Sequence, residues 1–206
     1  MRIVSTSIAA TALLAAGTAS AEITANLGFM SNYVFRGIEQ NDSSAMGGLD
    51  FEKSGFYLGI WSADVEKGLE IDYYGGYNFS LGEFDFGVGG TYYDYTDNFD
   101  DNYTEANLSA SWRWFTVNAD IGQWDGFGDE QDYQHYAITW EYEGFHLKAA
   151  TFEDDFDGNY FEGGYSTEFS GFDISATYIY SNDDLVGTED NSNLMFTISK
   201  TFGLVD

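Results

Sequence analysis

The chain has 206 residues and a formal net charge of −28, with 35 acidic side chains against seven Lys and Arg. That balance excludes the phosphate-neutralising surface of a nucleic-acid binder. The absence of cysteine excludes a disulfide framework, a thiolate metal site and a thiol nucleophile.

The N-terminus reads as an export signal. Met1 and Arg2 give a short basic start, Ile8 to Gly17 is small and apolar, and Ala19-Ser20-Ala21 matches an A-x-A cleavage site. The apolar run falls short of the ~20 residues that a membrane helix needs, and no later segment is apolar enough to be one. Residues 1–21 are therefore expected to be removed, leaving 22–206 as one domain with no Pro-rich or Ser-rich linker. Aromatic residues make up 19% of the chain, there are 24 Gly and no Pro, and the mean hydropathy is negative. A transmembrane barrel has this composition, because only alternate residues of each strand meet lipid.

Five times a tight polar turn runs directly into phenylalanine: Ser54-Gly55-Phe56, Gly82-Glu83-Phe84, Arg113-Trp114-Phe115, Glu143-Gly144-Phe145 and Ser170-Gly171-Phe172. The spacing of roughly 30 residues holds a strand, an acidic loop and a second strand, so the repeating unit is a hairpin with one short and one long end. Reading for alternation gives twelve strands: Glu22–Ile38, with a bulge or lead-in, then Ala45–Glu52, Phe56–Val65, Leu69–Phe79, Phe84–Tyr95, Tyr103–Arg113, Phe115–Trp124, Tyr133–Tyr142, Phe145–Phe152, Tyr160–Phe169, Phe172–Tyr180 and Ser192–Phe202. The clearest, Leu69–Phe79, alternates Leu69, Ile71, Tyr73, Tyr77 and Phe79 with Glu70, Asp72, Tyr74 and Asn78. The expected fold is an antiparallel transmembrane β-barrel with short periplasmic turns and long acidic extracellular loops, both termini on the short-turn side. Phe51, Phe56, Phe79, Phe84, Trp112, Phe115, Tyr142, Phe145, Phe169, Phe172 and Phe202 form its lipid-facing aromatic girdle at that rim. A soluble periplasmic barrel or sandwich, the competing fold, has no need of such an end-loaded ring.

The stretches SNYVFRGIEQNDSSAMGGLDF (Ser31–Phe51), SGFYLGIWSADV (Ser54–Val65) and LEIDYYGGYNF (Leu69–Phe79), with the closing SKTF (Ser199–Phe202), resemble the proteobacterial outer-membrane family known as Gcw_chp, labelled TorF-family porins. The resemblance is strongest over the first third of the chain. It implies an outer-membrane barrel of porin type and brings no catalytic residues and no substrate. In this chain Gly203 to Asp206 follow the terminal aromatic.

The six long loops carry Glu39 and Asp42; Asp64 and Glu66; Asp94, Asp97, Asp100 and Asp101; Asp125, Asp129, Glu130 and Asp132; Glu153, Asp154, Asp155 and Asp157; and Asp183, Asp184, Glu189 and Asp190, opposed only by Lys67. Such a mouth concentrates cations, or else meets divalent cations bridging lipopolysaccharide and selects nothing. Glu153 to Gly158 imitates the start of a calcium loop, but its twelfth place is Gly164, so an EF-hand is excluded and only weak divalent-cation contacts through Asp154, Asp155 and Asp157 stay open. Strand parity points Arg36, Asp72, Glu105, Asp120, His135, Glu141, Lys148, Glu162, Glu168 and Asp173 into the lumen. Arg36 either forms a constriction with carboxylates such as Asp72 or braces a plugged barrel. His135 and His146 are the only histidines, and neither has a partner motif for hydrolysis, so enzyme function is not expected. The expected activity is passive diffusion of small cationic or neutral solutes, without a cofactor. The alternative is a non-transporting surface barrel whose acidic loops bind divalent cations and lipopolysaccharide. Assembly into a homo-oligomer stays open.

Overall fold

A computed structural model describes residues 21–187 and 189–205; the expected signal segment lies outside the described residues apart from Ala21. Twelve antiparallel strands close into one barrel. They are β1 (Glu22–Met30), β4 (Ser44–Lys53), β5 (Phe56–Asp64), β6 (Leu69–Leu81), β7 (Phe84–Tyr95), β8 (Tyr103–Trp112), β9 (Phe115–Trp124), β10 (Gln131–Tyr142), β11 (Phe145–Asp154), β12 (Asn159–Phe169), β13 (Phe172–Ser181) and β14 (Asn191–Val205). Each pairs with its neighbours in sequence, and β1 pairs with β14 to close the ring. A helical turn, α1 (Asp183–Val186), lies in the β13–β14 connection.

The five turn-phenylalanine motifs are the five short turns. Ser54-Gly55, Glu143-Gly144 and Ser170-Gly171 hold both central residues at positive φ, and Gly82 and Arg113 supply one positive φ each. Left-handed turn residues match the right-handed twist of the strands they join. Alternation then sorts the side chains. All eleven girdle residues lie exposed on the outer wall, from Phe51 at 37% to Phe169 at 69%. With lipid as the outer solvent, this apolar exterior is stable only around a closed sheet whose backbone groups are all paired.

The first strand departs from the expected Glu22–Ile38. β1 stops at Met30, and residues 31–43 form a second, two-stranded sheet, β2 (Tyr33–Phe35) with β3 (Ile38–Asn41). The chain leaves the wall at Ser31, whose N–H donates to the Phe196 carbonyl (2.8 Å) while its Oγ accepts from the Phe196 N–H (2.9 Å). Arg36 (φ 48°) and Gly37 (φ 83°) make the two-residue turn between β2 and β3. Tyr33-Val34-Phe35 is apolar on both faces and cannot alternate between lipid and lumen. Tyr33 and Val34 are buried instead, with Tyr33 packed among Met30, Ala63 and Val65. The first of the expected outer loops is therefore an inward hairpin, with Glu39 and Asp42 left exposed on its outer side.

Candidate pore constriction

The inner hairpin crosses the barrel. The side chain at its turn, Arg36, reaches β9, which is diametrically opposite β1 in the twelve-strand ring. There the Arg36 guanidinium donates to both carboxylate oxygens of Glu105 on β8 (2.8 and 2.9 Å) and to Oδ2 of Asp120 on β9 (2.9 Å). The fork of a guanidinium matches a carboxylate, and the pairing fixes the orientation as well as the position of the side chain.

Both acceptors are held by further donors. Tyr93 and Tyr133 hydroxyls donate to Glu105 (2.7 and 2.8 Å), and the Asn107 amide bridges Glu105 (2.7 Å) and Asp120 (3.0 Å). His135 Nδ1 lies 2.9 Å from Asp120 Oδ2, and its Nε2 lies 2.9 Å from the Tyr160 hydroxyl. Aspartate can only accept in that contact, so Nδ1 carries the proton. On other walls the Tyr33 hydroxyl donates to Glu70 of β6 (2.7 Å), and Ser181 of β13 donates to the Gly37 carbonyl (2.7 Å). Gly37 is also tightly enclosed: a Cβ there would lie 2.8 Å from Leu185, Ser181 and Tyr160 side-chain atoms.

Exposure follows this arrangement along the lumen. Inward side chains near the short turns, including Asp50, Tyr57, Asn78, Glu141, His146 and Asp173, are half-exposed. At the level of the hairpin, Glu70, Glu105, Asp120, His135, Tyr160 and Ser181 are all buried. The lumen-facing side chains are most exposed toward the short-turn end and most buried where the hairpin crosses the barrel.

The chain-wide pattern of one bacterial family, described as "Bacterial protein of unknown function (Gcw_chp)", matches residues 14–202. The chain belongs to the Gcw_chp family. Its fold also matches solved structures. One, from work on in-meso crystallization of membrane proteins, has 11% identity and a TM-score of 0.62, covering 89% of this chain and 84% of that one. The NanC porin has 10% identity and a TM-score of 0.56, covering 89% of this chain and all of that one. No curated protein matches the chain.

Of the lumen residues that the sequence singles out, this Gcw_chp barrel brings Arg36, Glu105, Asp120 and His135 into one network. Asp72 does not bond Arg36, contrary to the pairing considered from sequence. It lies on β6, whereas the turn carries the guanidinium on to β8 and β9. Lys148 and Glu162 form a separate pair between β11 and β12 (2.9 Å). Asp154, Asp155 and Asp157 are exposed, and each accepts from a different neighbour: Gln134 Nε2, the Asp132 N–H and the Gly158 N–H. Among the described residues no group of three or more His, Cys, Asp or Glu is arranged to hold a metal ion. Sequence reasoning missed Tyr33, Tyr93, Asn107, Tyr133, Tyr160 and Ser181 as parts of the network. Strand alternation faces Tyr93, Asn107, Tyr133 and Tyr160 inward but carries no information on which would meet the hairpin.

Proposed function

We propose that this protein is an outer-membrane channel for small solutes, exported by its N-terminal segment 1–21, with the inner hairpin as the constriction. The carrying observation is the hairpin itself, which spans a lumen that is half-exposed on one side of it and buried at its level. A closed antiparallel barrel with an aromatic rim belongs in the bacterial outer membrane, and the likeness to the NanC porin supports a channel over an enzyme. Lumen carboxylates exceed the basic groups Arg36 and Lys148 around the hairpin, which favours cations and neutral solutes over anions. The acidic loops add a negative mouth whose attraction falls as salt screens it.

The burial of Glu105 and Asp120 also suits a barrel that transports nothing and meets its surroundings through its loops. Planar-bilayer recording of the refolded protein separates the two. A channel shows discrete conductance with cation-over-anion selectivity that weakens from low to high salt, and shortening residues 32–42 to a tight turn raises the conductance. Silence from both the wild type and the shortened form, with the barrel folded, refutes transport.

A further inference from the structure

Strand β6 presents two carboxylates that the hairpin satisfies only in part. Glu70 is fully buried; its Oε1 accepts from Tyr33, while its Oε2 has no hydrogen-bond partner among the described residues. Asp72 projects from the same face of the strand two residues on, and its Oδ1 is likewise buried without a partner. Arg36 is the cation of this region, but its hydrogen bonds go to Glu105 and Asp120. Four carboxylates thus surround the hairpin against one guanidinium, and the two on β6 lack a direct counter-charge. A buried carboxylate oxygen with neither donor nor cation is unstable, so a ligand or a proton must complete it.

We propose that Glu70 and Asp72 form a binding site for one small monovalent cation, an alkali-metal ion or a primary ammonium group, on the lumen wall at the foot of the inner hairpin. Divalent ions favour more charged oxygen ligands, and no third acidic or histidine side chain joins these two in a metal-binding group among the described residues. Asp72 is partly exposed and lies two residues nearer the short-turn end than Glu70, where the lumen side chains are more exposed, which gives a way in. The cation's role as a resting place on a permeation path rests on the channel reading; its binding does not.

Thermal unfolding of the full refolded protein in detergent tests this, with potassium, sodium or ammonium chloride compared with choline chloride at equal ionic strength. Choline is too large for a site between two carboxylates on one strand. The expected result is a saturable rise in unfolding temperature with each small cation over choline, lost in Glu70→Gln and in Asp72→Asn. Glu70→Gln keeps a carbonyl acceptor for Tyr33, and heat-modifiable gel migration verifies that each variant is folded. Equal unfolding temperatures in choline and potassium overturn the site. So does an infrared band of a protonated carboxyl at neutral pH that disappears in Glu70→Gln, because a proton then occupies the cation's place. Cation-dependent stabilisation in a barrel that passes no current leaves the site standing and removes the channel. Current without such stabilisation does the reverse.

Discussion

Replacing Arg36 with alanine removes the only Lys or Arg bonded to Glu105 and Asp120 among the described residues, and both carboxylates are buried. Tyr93, Tyr133 and Asn107 still donate to these carboxylates, and His135 still meets Asp120. Their charge is nevertheless left uncompensated, and breaking a buried pair in this way costs about 3–5 kcal/mol. The folded-to-unfolded ratio should fall roughly 150- to 5,000-fold, seen as a lower urea midpoint for the detergent-refolded barrel. The hairpin also loses its ionic attachment to the far wall and keeps the Tyr33–Glu70, Ser181–Gly37 and Glu66–Gln40 hydrogen bonds. Conductance should therefore rise in the same variant. Adding Glu105→Gln and Asp120→Asn removes the stranded charges and should recover most of the stability while leaving the conductance high. An Arg36→Ala barrel within about 0.5 kcal/mol of wild type, the scatter of ordinary surface substitutions, would refute the reasoning: the hairpin would then be held by packing, and the ion network would be incidental.

Gly76 faces inward on β6, where a Cβ would collide with the Val88 carbonyl and lie 2.5 Å from the Tyr57 hydroxyl. Gly76→Ala should cost about 1–3 kcal/mol by overpacking, measured by urea unfolding, whereas Gly82→Ala, with open space around its Cβ but a φ of +67°, should cost about 1 kcal/mol through backbone strain alone. In intact cells, protease should cut within Asp97–Asn102 and leave the Glu143-Gly144 turn whole; cleavage at that turn in sealed cells would mean that the barrel is inserted the other way up. Replacing outward Phe169 and Phe172 with serine should weaken membrane assembly more than stability in detergent, which a comparison of bilayer insertion yield with detergent unfolding would show.

Much of this protein was legible in one dimension because its solvent problem is one-dimensional. Each strand must show lipid one face and the lumen the other, so alternation marks eleven of the twelve strands and the rim aromatics, and the turn–phenylalanine motif marks the five short turns. The short turns are legible as well, since the glycines of Ser54-Gly55, Glu143-Gly144 and Ser170-Gly171 supply the positive φ that a two-residue hairpin turn needs. The first strand is where this logic stopped. Tyr33-Val34-Phe35, apolar on both faces, and the Arg36-Gly37 pair break the alternation within Glu22–Ile38, but nothing local says where the chain goes instead. What turns them in is a set of partners far along the chain: Glu70, Glu105 and Asp120 for Tyr33 and Arg36, Ser181 for the Gly37 carbonyl, and Phe196 for Ser31. Strand parity could say that Arg36, Asp72, Glu105 and Asp120 share the lumen. Only closure of the barrel decided that the guanidinium reaches β8 and β9 and leaves Glu70 and Asp72 on β6 to find another cation. Alternation specifies the face of the wall on which a side chain lies, whereas its partner across the lumen depends on strand order, register and the reach of one inward hairpin.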